Sequence, residues 1–360
     1  MKKFGILFML LFTLTVSAQS DFEIAQSFMN KKGVKLAPNK RSTTRGTDVP
    51  YSVFNGENDK GFAIVVNGSV VGYDINNTIN EDNMPCCLKE MLLESYSKSI
   101  KPSKTRGLSE GNVKAIKPII KTKWNQCSPY YDSISQKTNL CFFVAKAQML
   151  HYYRVNFYIE RHFLYSNKPV DLYPTTFDHD LIDREGDEGW AEETARFFKY
   201  AKHGVTDTYS YYTYEEVFSI NERTIYFDGN TSRYQIYNKI LEMGKPMLVS
   251  SPNHAFIIDG RDKDGRYHVN FGWGGAWDGY YFFPDTKNDK QNINSGFEYN
   301  KETNYWASYY TPLNETASIT PVTYKQHDNA VYNLQGTKVG NSLEGLPKGI
   351  YIQGGKKVIK

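Results

Sequence analysis

The feature that most constrains the fold is a run of apolar residues over 141–150, which covers most of the surface of a helix. A helix that is apolar on nearly all sides has to be enclosed by other elements. An antiparallel sheet that can enclose this helix is predicted over 246–283, because four short β-prone runs follow one another there, with a hairpin turn at 262–265. Further helices are predicted at 187–202 and 232–242. Helices followed by an antiparallel sheet predict an α+β domain with two halves that pack across a cleft.

A second, smaller module is predicted ahead of this domain. Asn-Gly pairs, which are typical of hairpin turns, separate three β-prone runs in this region, and helical patterns flank them. The arrangement of helix, small antiparallel sheet and helix predicts an α+β module over 19–100. Its elements are expected at 21–32, 51–54, 61–66, 70–73 and 87–100.

Residues 101–117 are rich in Lys, Arg, Gly and Ser and poor in apolar residues. This composition predicts an exposed linker, and exposed basic linkers are readily cut by proteases. A cleavable linker and an ordinary loop fit the composition equally well. The segment separates the N-terminal module from the large domain, which we expect over 118–312.

The N-terminus has the pattern of a secretory signal. Lys2 and Lys3 precede an apolar stretch over 4–16, and small residues follow at 16–18. The stretch has the length of a signal peptide and is too short for a stable membrane span. We expect a signal peptide over 1–18 and a mature chain that is secreted or held at the cell surface, with no membrane span.

The chain has four cysteines, too few for a disulfide scaffold in an exported chain of 360 residues. No pair has the spacing of a zinc site, so we expect neither a metal nor an organic cofactor. The formal net charge is only +4, with acidic and basic residues well mixed, which gives no support for a nucleic-acid partner. Any disulfide pairing among Cys86, Cys87 and Cys127 stays open.

Cys141 and His254 have the setting of a nucleophile and its base. A cysteine acts through its thiolate, which a helix N-terminus and a nearby imidazolium both stabilise. Cys141 opens the apolar helix, and residues that can cap a helix precede it. His254 follows a small and polar run over 250–253 and begins an apolar strand, so we expect it at a strand end that faces the cleft.

Two amides complete the predicted site. A catalytic imidazole needs a third group that holds it in the right tautomer, and Asn270, in the adjacent strand, is the candidate. The oxyanion needs hydrogen-bond donors, which the backbone N–H of Cys141 and the side-chain amide of Gln126 can supply. His268 shares a strand face with Asn270 and is interpreted as structural.

Three blocks of sequence resemble the streptopain family of bacterial cysteine peptidases. The order of the blocks, their spacing and their flanking residues all fit. Upstream, residues 51–100 resemble the inhibitory prodomain of that family, so the resemblance covers about 21–312. The blocks are Trp124-Asn125-Gln126 with Cys141 and Gln148, Asn253-His254-Ala255-Phe256 up to Gly260, and Tyr267-His268-Val269-Asn270-Phe271-Gly272-Trp273-Gly274-Gly275.

The resemblance implies a papain-like fold, a Cys–His endopeptidase that acts on protein substrates, and synthesis as a zymogen whose own prodomain, 19–100, is the inhibitor. It carries the role of nucleophile to Cys141, that of catalytic base to His254 and that of oxyanion donor to Gln126. It places Asn270 in the strand that supports the imidazole. The residues expected in the substrate cleft are Asn253, Gly272, Trp273, Gly274 and Gly275.

Five positions depart from the family's pattern. Leu140 precedes the nucleophile where the family has Gly, and Phe142-Phe143 follows it where small or β-branched residues are usual. Asn253 precedes the catalytic histidine, and Phe271 begins the Gly-rich block where the family has Trp. None of these changes removes a catalytic side chain. The departures nevertheless surround the nucleophile and the histidine, so two alternatives stay open. One is a catalytically weak relative that acts as a binding or inhibitory protein, and the other is a Cys–His amidase that acts on the cell wall.

The last segment, 313–360, is predicted as a polar linker followed by a short β tail. Its short β-prone runs form a miniature β pattern. The segment 346–351 resembles the end of sorting tails on exported proteins of Bacteroidetes-type bacteria, although the unit is shorter than such a module. A sorting role and a small accessory β unit are both open.

Overall fold

The structure is a computed structural model, in which the chain forms two compact units, Met1–Leu313 and Asn314–Lys360. The predicted signal peptide, Asn253, Cys86 and Cys87 lie outside the described residues, as does most of the predicted linker. The structure describes residues 20–41, 51–80, 82, 84, 88–89, 92, 113–134, 140–165, 167–204, 212–226, 233–250, 254–282, 306–313, 331–333, 338–353 and 356–360.

The first unit is built on a large antiparallel sheet. Its strands are β1 (Leu36–Arg41), β2 (Ser52–Gly56), β3 (Phe62–Val66), β4 (Ser69–Asp74), β5 (Arg161–Tyr165), β6 (Lys168–Leu172), β7 (Ile220–Tyr226), β8 (Met247–Ser250), β9 (Ala255–Arg261), β10 (Tyr267–Asn270), β11 (Gly279–Tyr281) and β12 (Trp306–Pro312). Ten of them form one sheet in the order β1-β2-β3-β4-β11-β10-β9-β8-β12-β7, and β5 pairs with β6 in a separate hairpin.

Helices cover this sheet, and the second of them is enclosed as its sequence predicts. The described helices are α1 (Asp21–Asn30), α2 (Leu140–Tyr152), α3 (His179–Ile182), α4 (Trp190–His203), α5 (Tyr214–Phe218) and α6 (Arg233–Glu242). Helix α2 contacts α4 as well as strands β8 and β9, and all its residues from Phe143 to His151 are buried. The predicted α+β class, with helices and a large antiparallel sheet, is confirmed.

The N-terminal module is a four-stranded meander with α1 packed against it. Ser20 and Glu23 form a reciprocal capping box that starts α1, whose inner face is buried against β3 and β4. Only parts of the helix predicted at 87–100 are described, and Leu88 and Leu92 are buried there. The module therefore has a small core of its own on the α1 side of the sheet.

The module and the large domain share one sheet, although the sequence treats them as separate pieces. Strand β4 pairs with β11, where Tyr73 lies opposite Tyr280. Their rings stack with centroids 5.1 Å apart, and the Phe282 N–H donates to the Val71 carbonyl at 2.7 Å. The paired residues are far apart along the chain, so no local pattern in the sequence could indicate this junction.

A buried arginine makes a second connection between the module and the domain. Arg266 donates through Nε and Nη2 to the Val70 carbonyl of β4, at 3.0 and 2.8 Å. Its Nη1 binds the carboxylates of Asp262 and Asp264 at 2.8 and 2.9 Å. The guanidinium also lies over the ring of Phe28 in α1, 4.9 Å from its centroid. One cation thus ties the β9–β10 hairpin to both layers of the module.

Five strands of the first unit were not predicted, among them β1, which contains a proline, a residue that is unusual inside a strand. Strands β7 and β12 pair along their whole length at one edge of the sheet, and β5 and β6 form the separate hairpin. Their sequences mix charged and aromatic residues without strict alternation, so the period-two pattern of a strand is absent. The predicted helices at 187–202 and 232–242 correspond to α4 and α6, and the predicted turn at 262–265 joins β9 to β10.

The second unit is a small sheet in the order β14-β13-β15-β16, formed by β13 (Val331–Tyr332), β14 (Lys338–Gly340), β15 (Ile350–Gln353) and β16 (Lys356–Ile359). Its strands are short, as the miniature β pattern predicts. Within the described parts of the chain, none of the helices has the length and apolarity that crossing a membrane requires.

Candidate active site

Cys141 is the second residue of α2 and lies in the first turn of that helix. Its thiol is free and half-buried, whereas Cys127, the other free cysteine among the described residues, is exposed. The N–H groups at a helix start have no partner within the helix, and they favour a negatively charged group nearby.

The residues that flank Cys141 pack partly into the helical core. Leu140 and Phe142 are half-buried against it, and the ring of Phe142 lies edge-on to that of Trp306 in β12, with centroids 5.8 Å apart. The core therefore absorbs part of the side-chain bulk that departs from the family's pattern.

His254 immediately precedes β9, and only 8% of its surface is exposed. Its Nε2 lies 2.9 Å from the main-chain carbonyl oxygen of Phe271. A carbonyl oxygen only accepts hydrogen bonds, so Nε2 carries the proton. In the neutral imidazole the lone pair then lies on Nδ1, the atom that can take a proton from a thiol.

Aromatic rings enclose the imidazole of His254. The indole of Trp273 stacks on the imidazole, with ring centroids 4.4 Å apart. The ring of Phe271 stacks in turn on the indole, with centroids 5.1 Å apart. Burial lowers the pKa of His254 to about 4, although the hydrogen bond to the Phe271 carbonyl acts in the opposite direction. The imidazole is therefore neutral at pH 7, which is the resting form of a general base.

Asn270, which the sequence predicts to orient the imidazole, makes no hydrogen bond to His254 within the described structure. It ends β10, and its amide is engaged by other partners. The group that fixes the tautomer of His254 is instead the main-chain carbonyl of the next residue, Phe271. Every residue has a main-chain carbonyl, so no residue type in the sequence could indicate this one.

Gln126 lies in a turn upstream of helix α2. The side-chain oxygen of Asn125 accepts from the Cys127 N–H at 2.7 Å, which closes a turn around the half-buried Gln126. The Gly274 N–H donates to the Trp124 carbonyl at 3.0 Å. The segment that carries the predicted oxyanion donor is thus joined directly to the Gly-rich loop.

The Gly-rich loop after β10 lies close against helix α2. Gly272, Gly274 and Gly275 have φ values of +71°, +69° and +83°, which favour glycine. A Cβ atom on Gly272 would come within 3.0 Å of Val144 in α2, and one on Gly275 within 2.7 Å of the Lys123 side chain. The structure therefore brings Trp273 and the three glycines next to His254 and α2, as expected for one side of a cleft.

Asp278 anchors the other end of this loop. Its Oδ1 accepts from the Phe271 N–H at 2.9 Å, so one carboxyl group holds the residue whose carbonyl binds His254. Asp278 is 4% exposed, and burial raises its pKa to about 7, although the Phe271 N–H and the charge of His268 act in the opposite direction. His268 itself pairs with the buried Asp259 at 2.6 Å, which supports its structural interpretation.

We expect Asp278→Asn to stabilise the fold at pH 8 and to change it little at pH 4.5. Asparagine keeps the oxygen that accepts from Phe271 but cannot ionise. A carboxyl group whose folded pKa is raised from 3.8 to about 7 destabilises the fold above that pKa, and this penalty disappears as the pH falls toward 4. The shift corresponds to roughly 4 kcal/mol in the free energy of unfolding at pH 8, which is measured with denaturant at both pH values. Equal stability of variant and wild type at pH 8 would contradict it, and Asp187→Asn, at an exposed site, is the control.

Three groups of the site were not predicted as site residues from the sequence: the Phe271 carbonyl, Asp278 and Gln148. Asp278 precedes a glycine and has the pattern of an ordinary turn. Gln148 did leave a signal, because it is a polar residue in a helix that the apolar pattern predicts to be enclosed on all sides.

Known proteins resemble the chain in sequence and in fold. The model of the Peptidase C10 family matches residues 191–281. A stretch of 28 residues is 61% identical to streptopain of Streptococcus pyogenes and to that of its serotype M1, and covers 8% of this chain. The match spans only 7% of the length of these curated relatives.

Solved structures resemble the chain over a longer stretch. A fragment of prointerpain A from Prevotella intermedia superposes with a TM-score of 0.56 at 20% identity, covering 77% of this chain and 98% of that one. The active interpain A cysteine protease of the same organism gives a TM-score of 0.39 at 20% identity, covering 55% of this chain and 94% of that one. The first likeness shows the fold. The family match over residues 191–281 includes His254 and the Gly-rich loop, so this part of the chain is similar to the Peptidase C10 family.

Proposed function

We propose that the chain is a cysteine endopeptidase that acts on protein substrates and is made as an inactive precursor. The observation that carries the proposal is the state of His254, whose Nε2 proton is held by a main-chain carbonyl while Nδ1 keeps its lone pair. A base in this tautomer can take the proton of Cys141, which lies at the start of α2. The family match supports the same chemistry.

In the proposed reaction, the Cys141 thiol gives its proton to Nδ1 of His254, and the thiolate attacks the carbonyl carbon of the substrate peptide. The backbone N–H of Cys141 and the amide of Gln126 stabilise the oxyanion. His254 then protonates the leaving amine, and an acyl-enzyme remains. Next, His254 takes a proton from water, the hydroxide attacks the thioester carbonyl, and the thiolate leaves.

The proposed inhibitor is the N-terminal module, residues 19–100, and the proposed cleavage falls in the linker 101–117. The module is attached next to the loop that holds His254, because β4 pairs with β11 and the Asn77 side chain donates to the Asp278 carbonyl at 2.9 Å. Release of the module removes these contacts. We propose that the loop then relaxes and that His254 loses part of the burial that keeps it neutral, so that an imidazolium can form beside the thiolate.

The remaining parts of the proposal concern export and the ends of the chain. The signal peptide over 1–18 would direct the chain out of the cell, and the peptidase proper would comprise 118–312. The C-terminal segment, 313–360, would serve either in sorting or as an accessory β unit.

The test is a thiol-dependent proteolysis assay on the purified full chain, after time has been given for the proposed cleavage in the linker. We expect casein cleavage that requires reducing agent and that a thiol-directed epoxide blocks. Cys141→Ala should remove it, whereas Cys127→Ala, the matched change at the exposed free cysteine, should leave it intact. Absence of proteolysis after removal of residues up to 117 would overturn the proposal, and release of peptidoglycan fragments instead would identify a cell-wall amidase.

Gln126→Ala should lower the turnover number by about 10²-fold, because it removes one of two oxyanion donors. KM should change little, since the oxyanion exists only after attack. Steady-state kinetics on a fluorogenic peptide measure both constants. A turnover number like that of the wild type would remove Gln126 from the oxyanion hole.

A further inference from the structure

Gln148 is a buried amide in the nucleophile helix to which the proposed mechanism gives no role. It lies on α2, is 0% exposed, and faces Asn270 of β10, which is 3% exposed. Gln148 Nε2 donates to Asn270 Oδ1 at 3.2 Å, and Asn270 Nδ2 donates back to Gln148 Oε1 at 3.3 Å. The two carboxamides thus form a reciprocal pair in the interior between the helical half and the sheet.

The pair collects further hydrogen bonds from the segment that leads to Gln126. Gln148 Oε1 also accepts from Thr122 Oγ1 at 2.9 Å and from the Trp124 N–H at 3.3 Å. Asn270 Nδ2 also donates to the Thr122 carbonyl at 2.9 Å. Asn270 Oδ1 accepts in addition from the N–H of Gly272, the residue after Phe271, at 3.0 Å.

These bonds connect all three parts of the candidate site. Helix α2 carries Cys141, Trp124 lies two residues before Gln126, and Phe271, whose carbonyl holds His254, lies between Asn270 and Gly272. Buried amides are unfavourable unless their donors and acceptors are satisfied, and an apolar pair would fill the same space without this requirement. Directional bonds differ from apolar packing in that they specify the relative placement of the segments they join.

We propose that Gln148 is a positioning residue, which sets the spacing of the nucleophile helix, the oxyanion segment and the His254 support through its amide pair with Asn270. The inference rests on the proposed peptidase function. It assigns Asn270 a role different from the predicted one: Asn270 acts through Gln148 and the loop rather than on the imidazole.

Gln148→Glu tests this with an isosteric change. The carboxylate keeps the acceptors for Thr122, Trp124 and Asn270 but loses the donor to Asn270 Oδ1, so two oxygens face each other. When the carboxyl group is protonated, its O–H can replace that donor, and burial raises the pKa of such a group. At pH 8 we expect the turnover number of the variant to be about 10-fold below that of wild type, and toward pH 5 we expect the two to become similar. KM should stay within about 3-fold of wild type.

The control is Gln235→Glu, the same substitution at an exposed position of α6, whose turnover relative to wild type should not depend on pH. A ratio for Gln148→Glu that equals that of the control at every pH would overturn the inference. So would a loss of activity that does not recover at low pH, since that would be a packing effect alone.

A second variant keeps the inference testable should Gln148→Glu not fold. Thr122→Val removes one donor to Gln148 Oε1 and keeps the volume of the side chain, so the turnover number should fall about 3-fold with KM unchanged. An unchanged turnover number would overturn the inference. The wild type in the same assay separates the two proposals: an inactive wild type overturns the peptidase function, whereas an active wild type with unaffected variants overturns only the role of Gln148.

Discussion

Replacing His254 by Asn should lower kcat/KM of the processed chain by about 10⁴-fold, because the proton of Cys141 then has no acceptor and the leaving amine has no donor. Asparagine places its amide near the position of Nδ1 and does not reach the Phe271 carbonyl, so the change removes the base together with its bond to the loop. Hydrolysis of a fluorogenic peptide measures the rate. The rate at which iodoacetamide alkylates Cys141 should also fall at pH 6, because the thiolate loses the neighbouring imidazolium.

The control for His254→Asn is His162→Asn. His162 lies in the β5–β6 hairpin, and its exposed side chain contacts only groups at the surface of the described structure. Its turnover should match that of the wild type. Residual activity of His254→Asn above about a hundredth of wild type would mean that another group acts as the base.

Arg266→Met should be the most destabilising change at the junction between the N-terminal module and the large domain. The guanidinium, 5% exposed, donates to the Val70 carbonyl and pairs with the carboxylates of Asp262 and Asp264. Its removal takes the guanidinium away from the buried carboxylate of Asp262, and breaking a buried ion pair in this way costs about 3–5 kcal/mol. Denaturant unfolding of the full chain measures the loss.

A matched control separates burial from charge. Arg184→Met breaks an ion pair with Asp187 whose side chains are 60% and 55% exposed, and its expected cost is below about 1 kcal/mol. Arg266→Met should also speed removal of the module by an added protease, because the bonds to Val70 are lost. Equal stability of the two variants would show that the junction does not depend on Arg266.

The sequence predicted the parts of the site that depend on local pattern. Cys141 could be placed at a helix start from the apolar periodicity that follows it, and His254 at a strand start from the small residues before it. The Gly-rich block over 272–275 also stands out in the sequence, and Gly272, Gly274 and Gly275 have the backbone angles that favour glycine. In each case the signal lies within a few residues of the feature it predicts.

What the sequence could not predict depends on contacts between distant segments. The support of His254 is a main-chain carbonyl, which has no residue signature, and the predicted partner, Asn270, is bonded to Gln148 instead. The pairing of β4 with β11 and the raised pKa of Asp278 follow from burial in the assembled sheet. Such properties belong to the packed molecule and have no counterpart in a local run of residues.

The strand order of the large sheet also has a consequence for how the chain reaches its folded state. Strands β1 to β4 are consecutive neighbours, and so are β8 to β11, so each group can form by short-range hairpin closure. Joining β4 to β11 closes a far longer loop. The entropic cost of that closure is offset only when β4 and β11 have both formed and can pair with each other. During synthesis the first group emerges earlier and presents β4 as a ready template. Residues that would later be discarded with a prodomain would thus act first as a nucleus on which the rest of the sheet is ordered.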